Sequence, residues 1–60
     1  MSSYRITFTD GYTQIVLGTY EEMQTWVTRL MPKHGKCRSC EEILRYDKYT
    51  GEQTKLLWSD

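Results

Sequence analysis

Hydrophobic residues between Thr19 and Pro32 recur with the period of an amphipathic helix. They occupy positions i, i+3, i+4, i+7 and i+8 and so fall in one stripe: Met23, Trp26, Val27, Leu30 and Met31. Thr19 and Glu22 have the spacing of a capping box, and Pro32 predicts that the helix ends at or before Met31. We expect this stripe to pack on a sheet, with Trp26 as a buried ring.

Alternating apolar and polar residues predict a β-hairpin before the helix. Tyr4 to Phe8 has the period of a half-buried strand, and Asp10-Gly11 is the signal for a two-residue type I′ turn. That turn would place Ile6 opposite Ile15. One predicted face is apolar and would receive the helix: Tyr4, Ile6, Phe8, Ile15 and Leu17. The other is mixed and exposed: Arg5, Thr7, Thr9, Tyr12, Gln14 and Val16.

The chain beyond the polar loop of Pro32 to Arg38 fits two structures. Ser39 and Glu42 have the spacing of a second capping box, which indicates a short helix before Gly51. Weak alternation indicates instead a second hairpin with the loop Tyr49-Thr50-Gly51, which places Lys48 opposite Glu52. The pattern favours the hairpin. It therefore predicts an α+β fold in the order β-β-α-β-β, a small antiparallel sheet with one helix packed on one face.

Length and composition predict one small domain over residues 1–60. The chain is 38% hydrophobic, and a chain this short buries only about 60% of its unfolded surface. Its aromatic residues can fill a thin core, and those left exposed would point to a binding surface. We expect a cytoplasmic protein without membrane contact, because no signal peptide or membrane span is visible.

His34, Cys37 and Cys40 are weak candidates for a metal site. The Cys-x-x-Cys spacing lets two thiolates bind one zinc ion, but a structural site needs four ligands. A redox role is an alternative, because Lys36 and Arg38 would lower the pKa of a nearby thiol. The sequence favours no cofactor and a cysteine packed at the start of a strand.

Basic residues cluster after the helix, although the formal net charge is zero. The window 29–38 has no acidic residue and contains Arg29, Lys33, Lys36 and Arg38. Such a window can bind phosphates. It also suits a helix C-terminus, which favours cations without any ligand.

The segment Val16 to Glu22 resembles the strand-Gly-aromatic-helix junction of plant AP2-type DNA-binding domains and of phage integrase arm-binding domains. This resemblance covers seven residues and implies DNA recognition by a three-stranded sheet. The predicted exposed face departs from that pattern, since its only basic residue is Arg5.

No catalytic motif is present, so we expect no enzyme activity. The leading hypothesis is a small protein–protein interaction module that modulates or inhibits a macromolecular partner, for example a phage-type protein that blocks a host defence or transcription factor. The predicted contact residues are Arg5, Tyr12, Gln14, Arg29, Lys33, Lys36 and Arg38. Nucleic-acid binding through residues 29–38 is the alternative. A homodimer, formed across the exposed face or by adding edge strands, would enlarge the core.

Overall fold

The computed structural model describes residues 1–60 as one sheet and one helix. The elements are β1 (Ser2–Phe8), β2 (Thr13–Gly18), α1 (Tyr20–His34), β3 (Cys37–Asp47) and β4 (Gly51–Ser59). The strands pair antiparallel in the order β2-β1-β3-β4. The predicted α+β fold with the order β-β-α-β-β is confirmed, and the region after Ser39 is a strand and not a helix. No helix has both the length and the apolar character needed to cross a membrane.

The predicted capping box forms at the start of α1, but the helix ends later than predicted. The Glu22 N–H donates to Thr19 Oγ1 at 3.2 Å, and the Glu22 carboxylate accepts from the Thr19 N–H. Pro32 lies inside the helix, which continues to His34. A proline removes one N–H donor, but the following turn is closed by the Gly35 N–H, which donates to Met31 O at 2.8 Å.

The first hairpin has a three-residue loop, Thr9-Asp10-Gly11, and this changes the register. The Gly11 N–H donates to Phe8 O, the Phe8 N–H donates to Tyr12 O, and Gly11 has a φ of 94°. Ile6 therefore faces Gln14, not Ile15. A shift of one residue exchanges the two faces of a strand.

The predicted faces of β2 are consequently wrong. Val16 is buried under the helix, whereas Ile15 and Leu17 are exposed on the opposite side of the sheet. Tyr12 and Gln14 share the helix side with Val16, because side chains alternate along a strand. The prediction holds for β1, where Tyr4, Ile6 and Phe8 are all buried.

The core lies between α1 and the side of the sheet formed by β1, β2 and the first part of β3. Its members are Tyr4, Ile6, Phe8, Val16, Met23, Val27 and Cys40. Leu30 packs against them, but Trp26 and Met31 are exposed, which corrects the prediction that both are buried. The physical reason is that α1 lies over β1 and β2, so only the centre of its apolar stripe meets the sheet.

The second hairpin is confirmed, with a loop one residue earlier than predicted. Lys48, Tyr49 and Thr50 connect the strands, and Asp47 faces Gly51. The predicted pair Lys48–Glu52 is wrong, since Glu52 faces Tyr46. Two register shifts follow along this pair of strands, one between Ile43 and Arg45 and the other between Cys40 and Glu41.

Candidate functional site

One side of the sheet carries no second layer, and we name it the open face. The helix covers the other side, so the open face consists of the residues that alternate with the core along each strand. They are Ser3, Arg5, Thr7, Thr13, Ile15, Leu17, Ser39, Glu41, Ile43, Tyr46, Glu52, Thr54, Leu56 and Ser59. The alternation that buries one side of the sheet thus also sets which residues the open face presents.

Arg5 lies near the middle of the open face and is held by two carboxylates from other strands. Its Nη2 donates to Glu52 Oε1, and its Nη1 lies 3.8 Å from Glu41 Oε1. Thr54 Oγ1 donates to the second oxygen of Glu41 at 3.1 Å. The hydrogen bond to Glu52 is the main cause that raises the pKa of Arg5, against the opposing effect of desolvation. The network links β1, β3 and β4 and fixes the direction of the guanidinium group.

Exposed apolar side chains lie on both sides of this network. Ile15 and Leu17 on β2 are 46% and 64% exposed, and Leu56 on β4 is 59% exposed. Leu56 lies directly opposite Glu41 in the register, as Ile15 lies opposite Arg5. An ordered charged group between apolar side chains can give a partner both contact area and orientation.

Tyr12 and Gln14 are not on the open face, although the sequence pattern predicts them on one face with Arg5. Tyr12 stacks on His34 of the helix with ring centroids 4.0 Å apart, and its Oη donates to Gln14 Oε1 at 2.6 Å. Both residues therefore belong to the helix side of the sheet. Of the predicted contact residues on the first hairpin, only Arg5 lies on the open face.

The four predicted basic contacts are exposed and form no ion pair within the chain. Arg29 and Lys33 are on α1, Lys36 is in the loop and Arg38 is in β3. Arg29 lies over the Trp26 ring, 5.3 Å from its centroid. These cations lie outside the open face, so the predicted site residues divide between two surfaces.

The three weak metal candidates are held in separate contacts. His34 Nδ1 lies 2.7 Å from Asp10 Oδ2, Cys37 Sγ donates to Ser39 O, and Cys40 Sγ lies 3.8 Å from Met23 Sδ. No three His, Cys, Asp or Glu side chains are grouped so that they could share a metal ion. The geometry does not fit the zinc site that the spacing suggested.

Burial, not basic neighbours, dominates the chemistry of both thiols. Desolvation raises the pKa of Cys37, and it raises the pKa of Cys40 to about 12. The expectation that Lys36 and Arg38 lower a thiol pKa is therefore wrong. Both cysteines are unpaired, and at neutral pH they are neutral thiols with little nucleophilic character.

Sequence reasoning missed the two glutamates that hold Arg5 and the apolar residues beside them. The sequence pattern predicts Ile15 and Leu17 in the core and Glu52 opposite Lys48. The alternation of residues along the strands could have identified these side chains, but only with the correct register of both hairpins. Comparison with protein-family models, curated proteins and solved structures gave no match.

Proposed function

We propose that the chain is a protein-binding module whose contact surface is the open face. The observation that carries the proposal is the Arg5–Glu41–Glu52 network, an ordered charged group with exposed Ile15, Leu17 and Leu56 beside it. In the form suggested by the sequence analysis, binding inhibits or modulates the partner, as a small phage-type protein does when it blocks a host defence or transcription factor.

The size of the open face supports this proposal. The molecule measures 38 × 22 × 16 Å, so each broad side presents about 800 Å², the area that one partner contributes to a standard interface. A pinned side chain also loses little conformational entropy on binding. The open face is therefore large enough for a standard interface, and its Arg5 side chain is already ordered before a partner binds.

The charges of the open face support one kind of protein partner. One guanidinium group lies among two carboxylates, which leaves an excess of one negative charge. A complementary protein surface is apolar and carries a lysine or arginine that meets Glu41 and Glu52. This arrangement disfavours a phosphate backbone on the open face.

The test is a pull-down with the immobilised chain and two charge variants. Leu56→Lys adds a cation to the open face and is expected to abolish capture of a stoichiometric partner. Thr25→Lys adds the same charge on the exposed side of α1 and is expected to leave capture unchanged. The proposal fails if the native chain retains no stoichiometric partner, or if Leu56→Lys retains the same partner as well as the native chain does.

Nucleic-acid binding is the second candidate, and the lack of ion pairs at Arg29, Lys33, Lys36 and Arg38 favours it. Lysine and arginine side chains that bind the phosphates of a nucleic acid displace its counterions. The gel retardation of DNA or RNA by the chain should therefore decrease steeply as the salt concentration rises. The double change of Lys33 and Lys36 to Glu should abolish it. Absence of retardation by the native chain at low salt excludes this candidate.

A further inference from the structure

The two edges of the sheet differ in how they are protected. The edge strand β4 carries Glu52 and Lys55, and its pairing is broken by register shifts. The edge strand β2 has no such protection: the segment from Gly11 to Tyr20 contains no charged residue, and its pairing with β1 is regular. Charges and bulges are the usual means by which an edge avoids pairing with another strand. Only β2 is left open to such pairing.

The free backbone groups of β2 can be assigned from the register. The Phe8 N–H donates to Tyr12 O, and backbone groups alternate in direction along a strand. Those of Gln14 and Val16 therefore point to β1, and those of Thr13, Ile15 and Leu17 point away from the sheet. Ile15 O already accepts an amide hydrogen from Gln14 Nε2 at 3.0 Å, as it would from the N–H of a further strand.

We propose that β2 pairs antiparallel with β2 of a second copy of this chain. The two-fold axis passes beside Ile15, so that Ile15 faces its own counterpart and Thr13 faces Leu17 of the second copy. This register joins all three outward-pointing residues in about six hydrogen bonds. It turns two four-stranded sheets into one continuous sheet. The proposal does not depend on the proposed function, although it would place two open faces side by side.

The position of the helix fits this pairing. α1 contacts both β1 and the edge strand β2, so it lies near the free edge of the sheet. Strands in a sheet are about 4.8 Å apart, and packed helices are separated by about 8–10 Å. A second copy of β2 beside the first would therefore bring the two helices close enough to pack.

Trp26 lies on the flank of α1 that would form this contact. Tyr20 and Trp26 lie about 60° to either side of Met23 around the helix. Tyr20 contacts Tyr4 of β1, with ring centroids 6.2 Å apart, so its flank faces the inside of the sheet. Trp26 therefore faces the free edge of β2, which accounts for its 40% exposure.

In an antiparallel dimer, charges of opposite sign on this flank of the two helices would face each other. Glu22 near one end and Lys33 near the other share the flank with Trp26, by the same helical period. The helix runs back along β2, since His34 stacks on Tyr12, so the midpoint of α1 lies above Ile15. A two-fold axis there brings Glu22 of each copy to Lys33 of the other, and Trp26 of each copy to Arg29 of the other, which already lies over its own Trp26 ring.

Sedimentation velocity over micromolar to millimolar concentrations tests the proposal. The native chain is expected to pass from the mass of one chain to that of two. Ile15→Lys places two like charges opposite each other at the axis and is expected to remain monomeric, while Leu56→Lys is expected to dimerise like the native chain. Circular dichroism at the lowest concentration checks that both variants fold, since Ile15 and Leu56 are exposed.

Amide hydrogen exchange of the native chain provides a measurement that needs no variant. The N–H groups of Ile15 and Leu17 are expected to become protected as concentration rises, while those of exposed loop residues stay unchanged. A single-chain mass at all concentrations overturns the proposal. So does a dimer in which these two amides exchange at the same rate as in the monomer, or one that Leu56→Lys disrupts and Ile15→Lys does not. If Leu56→Lys loses its partner in the pull-down, that result tests the proposed function and leaves the proposed dimer unaffected.

Discussion

The phenol ring of Tyr12 lies parallel to the imidazole ring of His34, with an angle of 4° and 4.0 Å between their centroids. Phe8 lies against the same imidazole at 5.9 Å, and Asp10 Oδ2 lies 2.7 Å from its Nδ1. This cluster joins the loop of the first hairpin to the last turn of the helix. It also contacts the core, because Phe8 is one of the core residues.

Tyr12→Ala is expected to lower the free energy of unfolding by about 1 kcal/mol, the typical contribution of an aromatic pair. Tyr49→Ala is the matched control, because Tyr49 is 86% exposed at the tip of the second hairpin, and it should change stability by less than about 0.5 kcal/mol. Urea denaturation of both variants measures the difference. Equal losses would show that the Tyr12–His34 stack contributes nothing.

Stability is expected to fall in acid partly through Asp10. The Tyr12 N–H and then the His34 side chain hold the pKa of Asp10 below its usual value of 3.8. The folded state therefore favours the carboxylate, so this stabilisation is complete above pH 3.8 and disappears as the pH falls through the lower folded pKa. Thermal melting across this range should show that Asp10→Asn lacks this part of the acid loss. Parallel pH profiles for the two proteins would refute it.

Local signals in the sequence favoured the correct order of the elements, but they did not predict the end of α1 or the faces of β2. The spacing of Thr19 and Glu22 fixed the start of α1, because both groups of a capping box come from one turn. Asp10-Gly11 is compatible with a two-residue or a three-residue loop, and only contacts far along the chain choose between them. The three-residue loop places Ile15 on the open face and not in the expected core. The candidate site therefore differs from the predicted one.

Trp26 shows the same limit for the helix. The apolar stripe was wider than the surface that the sheet offers, since α1 lies over β1 and β2. Which residues of the stripe are buried depends on where the axis sits above the strands, and no periodicity contains that information. Cys40 joined the core for a related reason: its register opposite Ile6 brings it under Met23.

Trp26→Ala is therefore expected to destabilise the monomer much less than Phe8→Ala. The Phe8 side chain is fully buried, and truncation of such a ring costs about 3–5 kcal/mol, a large part of the stability of a domain this small. Trp26→Ala should cost about 1 kcal/mol, of the order of a cation–π contact such as the one Arg29 makes. Chemical denaturation at low concentration compares them, and a similar loss in both would place Trp26 in the core.

The thiols are expected to react slowly and in a fixed order. Cys37 is partly exposed and Cys40 is fully buried beside Met23, and burial raises the pKa of both. A thiol reagent at neutral pH should modify Cys37 more slowly than it modifies the urea-unfolded chain, and Cys40 only on unfolding. Mass spectrometry of the time course assigns each site. Rapid modification of Cys40 under native conditions would contradict its position in the core.

Gly35→Ala is expected to destabilise the fold more than Gly11→Ala. Both glycines have a positive φ, 85° at Gly35 and 94° at Gly11, and the ψ of −164° at Gly35 lies in a region that essentially only glycine adopts. Each substitution therefore incurs a backbone cost of about 1–3 kcal/mol. A Cβ at Gly35 would lie 2.6 Å from Thr9 Oγ1, whereas one at Gly11 meets nothing within 4 Å. The additional contact must move either the first hairpin loop or the end of α1, which the Tyr12–His34 stack holds together. The double variant with Thr9→Gly removes the obstructing hydroxyl and should recover the part of the Gly35→Ala loss that this close contact causes. Thermal melting of the three proteins, with Thr9→Gly alone as the control, gives the answer: a Gly35→Ala loss that Thr9→Gly does not reduce would mean that backbone strain alone sets it.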